Sequence, residues 1–382
     1  MKIAIMGIRG IPANYGGFET FAEEVAPRLA QKGHDVTVYG RSNNIKFNGK
    51  YYKGVRIIIL PTIPHKYLDT VAHTFLCALH SMKENYDAIL ICNSANSLFA
   101  FIPRLTGQKI ALNVDGLEWK RKKWNKLGQW YYKFSEYIAT LSPNVVVTDA
   151  RTIQKYYLEK FNKPSVYIPY GSPVDRVTTK KILDKFGVKP RKYVLYVSRL
   201  EPENNAHLVI KAFEQVQTDL NLVIVGDAPY SSEYIAELKK TKDPRIIFTG
   251  YVFGEGYREF QSHAYIYIQA TEVGGTHPAL LEAMGHGNCV LANDVPEHRE
   301  VLGDAGFYFS THPPNHLRDQ IQYLLDHPEV VEEKRGEAVE RIKQFYTWEK
   351  VTDGYEKLFY EMINGSAEIN KQPEMESICE ET

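Results

Sequence analysis

Three loops, each placed directly after an apolar run that predicts a strand, hold the residue types best suited to binding an anion. The first loop begins at Gly7 and ends at the adjacent glycines Gly16 and Gly17, before a helix-forming stretch. Glycines at a helix start let main-chain N–H groups approach a phosphate closely. The loop has neither a GxGxxG fingerprint nor a P-loop lysine, so use of NAD or ATP is not expected. A flexible glycine turn is the alternative.

The second loop, Ser198–Asn205, follows the predicted strand Tyr193–Val197 and carries Arg199. A guanidinium group can chelate two phosphate oxygens at once, so Arg199 is a candidate ligand of a diphosphate. A solvated surface arginine is the alternative interpretation of this position.

The third loop is the most specific of the three. Two glycines, a hydroxyl or imidazole cap and a proline at the first helical position predict a helix N-terminus, whose N–H groups and dipole suit a diphosphate. Glu282, about one turn into this helix, is a candidate for accepting hydrogen bonds from ribose hydroxyls, or else a favourable charge near a helix start. The loop and the helix start contain Thr271, Glu272, Gly274, Gly275, Thr276, His277 and Pro278.

Alternating strands and helices must position these loops. The alternation begins at Lys2 and restarts at Tyr193, after the punctuated stretch Pro169–Pro173, which predicts two domains with parallel sheets covered on both faces. Ligands of such sheets bind beyond the carboxyl ends of the strands, where all three loops lie. The predicted strands are Lys2–Met6, Val36–Tyr39, Val55–Leu60, Ala88–Cys92, Ile110–Val114, Asn144–Thr148, Ser165–Ile168, Tyr193–Val197, Asn221–Val225, Arg245–Thr249, Tyr265–Gln269, Cys289–Ala292 and Gly306–Phe309.

The length and charge of the chain limit its possible functions. The net charge of the 382 residues is zero, yet residues 1–170 hold 23 Lys and Arg against 12 Asp and Glu, and the remainder holds 23 against 34. A basic half indicates a nucleic acid, a lipid diphosphate or a membrane surface as partner, unless it reflects solvated helix faces alone. Four scattered cysteines, no signal-peptide pattern and no apolar run of roughly 18 residues favour a cytoplasmic protein.

Taken together, these motifs resemble family 4 of the retaining nucleotide-sugar glycosyltransferases, from residue 1 to about residue 363. The resemblance is carried by the Gly16-Gly17-Phe-Glu opening and by the stretches SRLEPENN, GGTHPALLEAM and NDVPEHREVLGDAG. It implies the GT-B fold, an α/β architecture in which two Rossmann-like domains with parallel sheets face each other across a cleft. We expect an acceptor-side domain at 1–171, a donor-binding domain at 172–345, a helix at 346–363 returning to the first domain, and a disordered tail at 364–382.

A narrower resemblance concerns the sugar. The stretches MGIRGIPANYGGFET and NVDGLEWKRKKW are similar to the bacterial rhamnosyltransferase-like branch, which acts in surface polysaccharide assembly. This resemblance implies transfer of L-rhamnose from dTDP-L-rhamnose to a saccharide acceptor, which we expect to be linked to a lipid diphosphate. A nucleotide-sugar epimerase of the same fold and a non-catalytic nucleotide-sugar-binding subunit are the alternatives.

The resemblance also assigns roles, with three departures from the family pattern. Asn204 stands where the family has a second cation, Glu272 lies ten rather than eight residues before Glu282, and Asp115 replaces the usual cleft histidine. Asp115, for which an acidic turn residue is the alternative, and Arg199 are the candidate catalytic residues. The candidate donor-binding residues are Gly16, Gly17, Arg199, Asn204, Tyr251, Glu272, Gly275, Thr276, His277 and Glu282. No Asp-x-Asp motif occurs, and the resemblance implies neither a metal nor another cofactor.

A basic and aromatic stretch marks the acceptor or membrane side. Tryptophan prefers the lipid headgroup zone, and lysine and arginine are attracted to anionic surfaces, so we expect peripheral contact with the inner face of the plasma membrane. A solvated basic helix is the alternative, and no nucleic-acid-binding module is recognised. The stretch contains Glu118, Trp119, Lys120, Arg121, Lys122, Lys123 and Trp124.

Overall fold

The computed structural model describes residues 1–13, 16–65, 67–121, 124–228, 231–313 and 315–365. Lys122, Lys123 and the predicted tail from residue 366 onward lie outside these ranges. The fold divides into two compact units. The first contains Met1–Lys120, Trp124–Pro169 and the segment that starts at Trp348, and the second contains Arg121 and Tyr170–Thr347.

The first unit is built on an eight-stranded sheet. Its strands are β1 (Lys2–Met6), β2 (Asp35–Arg41), β3 (Tyr51–Tyr52), β4 (Val55–Leu60), β5 (Ala88–Cys92), β6 (Lys109–Asn113), β7 (Val145–Thr148) and β8 (Val166–Tyr167). They pair in the order β3-β4-β2-β1-β5-β6-β7-β8, and all neighbours are parallel except β3 and β4. All residues of β5 and β7 are buried, because helices cover both faces of the sheet.

The helices of the first unit, in chain order, are α1 (Gly17–Gln31), α2 (Asp69–Ser81), α3 (Phe101–Arg104), α4 (Lys126–Ala139) and α5 (Arg151–Phe161). Short 3-10 helices run over Ser94–Ala100 and Glu118–Lys120.

The second unit has a six-stranded, fully parallel sheet. Its strands are β9 (Tyr193–Val197), β10 (Asn221–Val225), β11 (Ile246–Gly250), β12 (Ile266–Gln269), β13 (Cys289–Asn293) and β14 (Phe307–Phe309). They pair in the order β11-β10-β9-β12-β13-β14. Its helices are α6 (Lys181–Phe186), α7 (Ala206–Phe213), α8 (Ser232–Leu238), α9 (Gly254–His263), α10 (Pro278–Gly285), α11 (Pro296–Leu302), α12 (His316–Asp326) and α13 (Pro328–Phe345).

The last described helix, α14 (Trp348–Asn364), belongs to the first unit. Its buried aromatic rings pack on Phe21 of α1, with ring centroids 5.1 Å away for Tyr355 and 6.5 Å away for Trp348. Lys32, just after α1, lies 2.7 Å from the carboxylates of Asp353 and Glu356. The pairs with Lys32 are partly exposed and add little, so burial of the aromatic side holds α14 in place.

The predicted α/β fold with two parallel-stranded sheets is confirmed. Each predicted strand is present, with ends that shift by at most two residues, whereas the two-residue strand β3 was not predicted.

Candidate active site

Each sheet contains a point at which the order of strands reverses, and loops at such points form the binding crevices of open α/β sheets. In the second sheet the reversal lies between β9 and β12. The loop with Arg199 follows β9, and the loop with Glu272 and Gly275 follows β12. The fold thus brings the second and third sequence-predicted loops to one edge of one sheet.

The loop that carries Arg199 is held from behind by main-chain contacts. The Asn204 side-chain amide donates to the Arg199 carbonyl oxygen at 2.7 Å, and Asn204 is almost fully buried. Gly226 lies at a φ of 141°, and a Cβ there would fall 1.8 Å from the Ser198 carbonyl oxygen, so only glycine allows β10 to end this close. The structure shows Asn204 supporting the loop, and its role as a donor ligand stays a prediction.

Asn205, which the sequence analysis did not single out, links the two loops. Its backbone adopts the left-handed region, at a φ of 61°, and its side-chain amide donates to the Ala270 carbonyl oxygen at 3.0 Å and to the Glu272 carboxylate at 2.9 Å. Asparagine tolerates this conformation better than most residues, which is the signal the sequence offered. Glu272 is therefore oriented by the loop that carries Arg199.

The third loop ends at α10, where Pro278 occupies the first helical position as predicted. The predicted imidazole cap is wrong, because His277 at the N-cap makes no side-chain cap hydrogen bond. Its Nδ1 instead lies 3.1 Å from Nε2 of buried His298, whose Nδ1 lies 2.9 Å from the Asn293 carbonyl oxygen. Burial lowers the pKa of His298 to about 4 and, with help from His298, lowers that of His277. Both rings are neutral at neutral pH, so the positive character of this helix start comes from the helix dipole.

Glu282 is held by a buried chain of hydrogen bonds that the sequence analysis missed. The Tyr257 hydroxyl donates to the Glu282 carboxylate at 2.5 Å, and the Gln261 amide donates to the Tyr257 oxygen at 2.9 Å. The side-chain amide of Asn288 donates in turn to the main-chain carbonyl oxygen of Gln261 at 2.8 Å. Burial and the Glu282 charge raise the pKa of Tyr257, so its hydroxyl stays a donor. Tyr257 and Gln261 lie on one face of α9, but their spacing in the sequence does not indicate that Tyr257 bonds to Glu282.

An aromatic pair follows β11. Tyr251 and Phe253 stack with ring centroids 5.5 Å apart at an interplanar angle of 18°, and 38% and 55% of their surfaces are exposed. Such flat exposed rings can stack with a nucleobase. Phe253 joins Tyr251 as a candidate that the sequence analysis had not included.

The glycine loop of the first unit follows β1, at the reversal between β1 and β5. Gly16 precedes α1 at a φ of 108°, and a Cβ there would lie 2.2 Å from a carboxylate oxygen of Glu19. The other Glu19 oxygen accepts the Arg9 main-chain N–H at 2.8 Å. The helix start therefore already faces a carboxylate, and phosphate binding by Gly16 and Gly17 stays a prediction.

Asp115 follows β6, next to that reversal. It adopts the left-handed region, at a φ of 56°, and its N–H donates to the Asn113 side-chain oxygen at 3.0 Å. The Asn113 side-chain amide donates to the Tyr355 hydroxyl of α14 at 2.9 Å. α14 thus supports the turn that carries Asp115, through a residue that the sequence analysis did not select.

The basic and aromatic stretch is less exposed than its sequence indicated. The indole of Trp119 is half-buried under the Lys133 ammonium group, which lies 4.6 Å from its ring centroid, and Trp124 packs on Tyr132 at 5.2 Å. The Trp124 indole donates to the buried Glu118 carboxylate at 3.4 Å. Arg121 is buried and Lys120 is exposed.

The described residues offer neither a metal-binding cluster nor a membrane-spanning helix. No group of three or more His, Cys, Asp and Glu side chains in those ranges is arranged to hold a metal ion. None of the helices there combines the length and the apolar character needed to cross a bilayer.

Comparison with known proteins assigns a family description to each unit. Residues 191–327 match the family described as glycosyl transferases group 1, and residues 1–173 match a domain of unknown function (DUF1972). An uncharacterized glycosyltransferase of Methanocaldococcus jannaschii is 24% identical over 91% of this chain and 96% of its own length.

Two further matches are informative. The crystal structure of Anabaena HepE in complex with UDP aligns with a TM-score of 0.76 at 15% identity, over 94% of this chain and all of that one, which confirms the GT-B fold class. The 4-alpha-N-acetylgalactosaminyltransferase of Campylobacter jejuni that is named for a diphospho-undecaprenol-linked saccharide is 24% identical over 44% of this chain and 46% of its own length. The chain is a glycosyltransferase, and these matches support a hexosyltransferase that depends on a nucleotide sugar.

Proposed function

We propose that this enzyme transfers L-rhamnose from dTDP-L-rhamnose, with retention of configuration, to a saccharide carried on a lipid diphosphate during surface polysaccharide assembly. The observation that carries the proposal is the strand reversal between β9 and β12. A guanidinium group and a helix N-terminus follow these two neighbouring strands, and both suit a nucleotide diphosphate.

In the proposed reaction the bond between the anomeric carbon and the diphosphate oxygen breaks, and the acceptor hydroxyl oxygen bonds to the same face of that carbon. The departing phosphate oxygen takes the hydroxyl proton, so the protein need not form a covalent intermediate. Arg199 and the main-chain N–H groups of Gly275–His277 stabilise the charge that builds on the diphosphate. Within the first unit, the main-chain N–H groups of Gly16 and Gly17 are the proposed phosphate ligands, and Asp115 orients a sugar or acceptor hydroxyl.

The rest of the donor is bound by residues of the second unit. Glu282, fixed by Tyr257, accepts hydrogen bonds from the ribose, and Tyr251 stacks on the base. Glu272, fixed by Asn205, contacts the sugar end of the donor. Asn204, in the loop after β9, and Thr276, in the loop after β12, are the remaining residues that we propose to bind the donor.

Two observations support an acceptor that is linked to a lipid. They also support peripheral binding of the enzyme to the inner face of the plasma membrane. The first 170 residues carry an excess of 11 positive charges, which suits an anionic diphosphate. The partly matched Campylobacter jejuni enzyme is named for an acceptor linked to diphospho-undecaprenol. The acceptor side then includes Glu118, Trp119, Lys120, Arg121 and Trp124, together with Lys122 and Lys123.

A panel of nucleotide sugars, each incubated with and without a saccharide acceptor, tests the proposal. We expect release of dTDP from dTDP-L-rhamnose that increases on addition of the acceptor, and a product whose anomeric configuration by NMR is the same as that of the donor. An epimerised donor without transfer would favour the epimerase alternative. Tight donor binding without turnover would favour a non-catalytic subunit.

A further inference from the structure

Helix α4 of the first unit turns apolar side chains towards solvent. Leu127, Trp130, Phe134, Tyr137 and Leu141 recur at alternating spacings of three and four residues, so they lie on one side of α4 and its continuation. Their exposed fractions range from 39% to 72%, and Trp130 and Phe134 stack with centroids 5.7 Å apart. We call these five residues the α4 stripe.

The opposite side of α4, which packs on the protein, is mixed in polarity. The residues buried there are Gly128, Tyr132, Ser135, Glu136 and Ala139. The Ser135 carbonyl oxygen accepts the Ser97 hydroxyl at 2.8 Å, and the Glu136 carboxylate accepts the Tyr156 hydroxyl at 2.9 Å. A surface helix of a globular protein normally buries its apolar side instead. The α4 stripe is therefore a surface that something else covers.

A second set of exposed apolar residues lies on the neighbouring helices. Leu98, Phe101 and Leu105 recur at spacings of three and four residues along the 3-10 helix and α3, with 44%, 40% and 80% of their surfaces exposed. Arg104 donates to the Ser142 carbonyl oxygen at 2.7 Å, which joins the end of α3 to the end of α4. An apolar surface shared by several helices is larger than scattered surface leucines would produce.

Charge identifies the occupant of this surface. In the described part of residues 94–141, the exposed charged side chains are all positive, namely those of Arg104, Lys120, Lys126 and Lys133. Of the acidic residues there, Glu118 and Glu136 are buried and Asp115 is half-buried. A second copy of the chain would bring two such basic surfaces together, at an electrostatic cost. An anionic bilayer meets both requirements, because Trp and Tyr suit the headgroup zone and Lys and Arg suit the anionic lipids.

We propose that the α4 stripe docks on an anionic phospholipid surface, with α4 lying in the plane of the headgroups. The proposal deepens the proposed function, on which it rests for the lipid-borne acceptor. It also moves the membrane contact from the half-buried indoles of Trp119 and Trp124 to Trp130 and its neighbours.

The test measures sedimentation of the full chain with vesicles of phosphatidylglycerol and phosphatidylcholine, and with vesicles of phosphatidylcholine alone. The variant W130S/F134S is compared with the wild type and with Y323S/F345S, which removes two aromatic residues of similar exposure from the second unit. We expect W130S/F134S to bind anionic vesicles at least about tenfold more weakly and Y323S/F345S to bind like the wild type. L127S/Y137S, from the same stripe, should repeat the loss, and melting curves should show all variants folded.

Three results would overturn the proposal. Equal binding of W130S/F134S and the wild type would remove the stripe from the contact. Equal binding of the wild type to both vesicle types would remove the role of charge. A wild-type dimer that W130S/F134S converts into a monomer, with vesicle binding retained, would assign the stripe to a second copy. The vesicle assay contains neither donor nor acceptor, so its result is independent of the transfer assay. Either assay can fail while the other succeeds.

Discussion

At the scale of single residues, the site depends on side chains that act through other side chains. Glu282 receives the Tyr257 hydroxyl, and Tyr257 is fixed by Gln261, which is completely buried. Asn205 fixes Glu272 in the same way. Buried networks of this kind restrict a carboxylate to one orientation, so its hydrogen bonds to a ligand need little rearrangement.

Replacing Tyr257 by Phe tests this orienting role. Loss of the hydroxyl removes one hydrogen bond that orients the Glu282 carboxylate, so we expect the donor KM to rise about tenfold with a smaller change in kcat. The matched control is Tyr265→Phe, which removes a hydroxyl that donates to the Leu324 carbonyl oxygen at 3.3 Å. Equal donor KM values for the two variants would show that Tyr257 serves stability alone.

Replacing Arg199 by Ala tests the diphosphate contact. We expect kcat to fall about a hundredfold with an unchanged melting temperature, because Arg199 is partly exposed and the charge it stabilises appears on the leaving group. Arg318→Ala is the control, since the exposed fraction of that side chain is 33% against 36% for Arg199. Wild-type turnover of a folded Arg199→Ala enzyme would exclude this residue from the site.

At the scale of elements, α14 reaches the turn after β6 through one asparagine. Asn113 bonds both the Asp115 N–H and the Tyr355 hydroxyl, and all three residues belong to the first unit. The helix thus does more than cover apolar surface, because it fixes the loop that carries a candidate catalytic carboxylate.

Replacing Asn113 by Ala should release that turn. We expect kcat to fall about tenfold, because the Asp115 N–H and the Tyr355 hydroxyl each lose their hydrogen bond to this side chain. Asn144→Ala is a matched control at the other end of the same strand, where the side-chain oxygen accepts the Ile110 N–H at 2.8 Å. We expect both variants to lose stability in chemical denaturation. An equal fall of kcat in the two variants would assign the effect to β6 as a whole.

At the scale of the molecule, each unit contains a buried histidine that resists protonation. Burial lowers the pKa of His73 in the first unit and of His298 in the second to about 4. The unfolded chain binds a proton at about pH 6.5, whereas the native histidines bind one only near pH 4. Between these values the unfolded state holds more protons, so stability falls as the pH is lowered from 6.5 towards 4.

The free energy of unfolding should therefore decrease between pH 7 and pH 5, with a contribution of about 2 kcal/mol from His298. Urea denaturation of His298→Asn at the two pH values should show a smaller decrease for the second unit than the wild type shows. His312→Asn, at an exposed position, should leave the decrease unchanged. An identical decrease in wild type and His298→Asn would show that this ring is not protonated on unfolding.

The sequence alone determined the elements and their class. Strand runs such as Lys2–Met6 and Tyr193–Val197 are short, apolar and bounded by glycine or charge, and this local information is enough to predict a buried parallel strand. Proline at position 278 likewise predicted the start of α10, because proline fits the first helical position.

Tertiary structure decided which side of each element meets which neighbour. The spacing of apolar residues shows that α4 has an apolar stripe. The spacing does not show that this stripe faces solvent, because the side that α4 buries depends on the neighbouring elements against which it packs. Tyr257 and Glu282 are separated by 25 residues, and Asn113 and Tyr355 by 242. Hydrogen bonds across such separations arise only when the packed sheet brings distant loops together, and for that reason the supporting residues of the site were visible in the structure and not in the sequence.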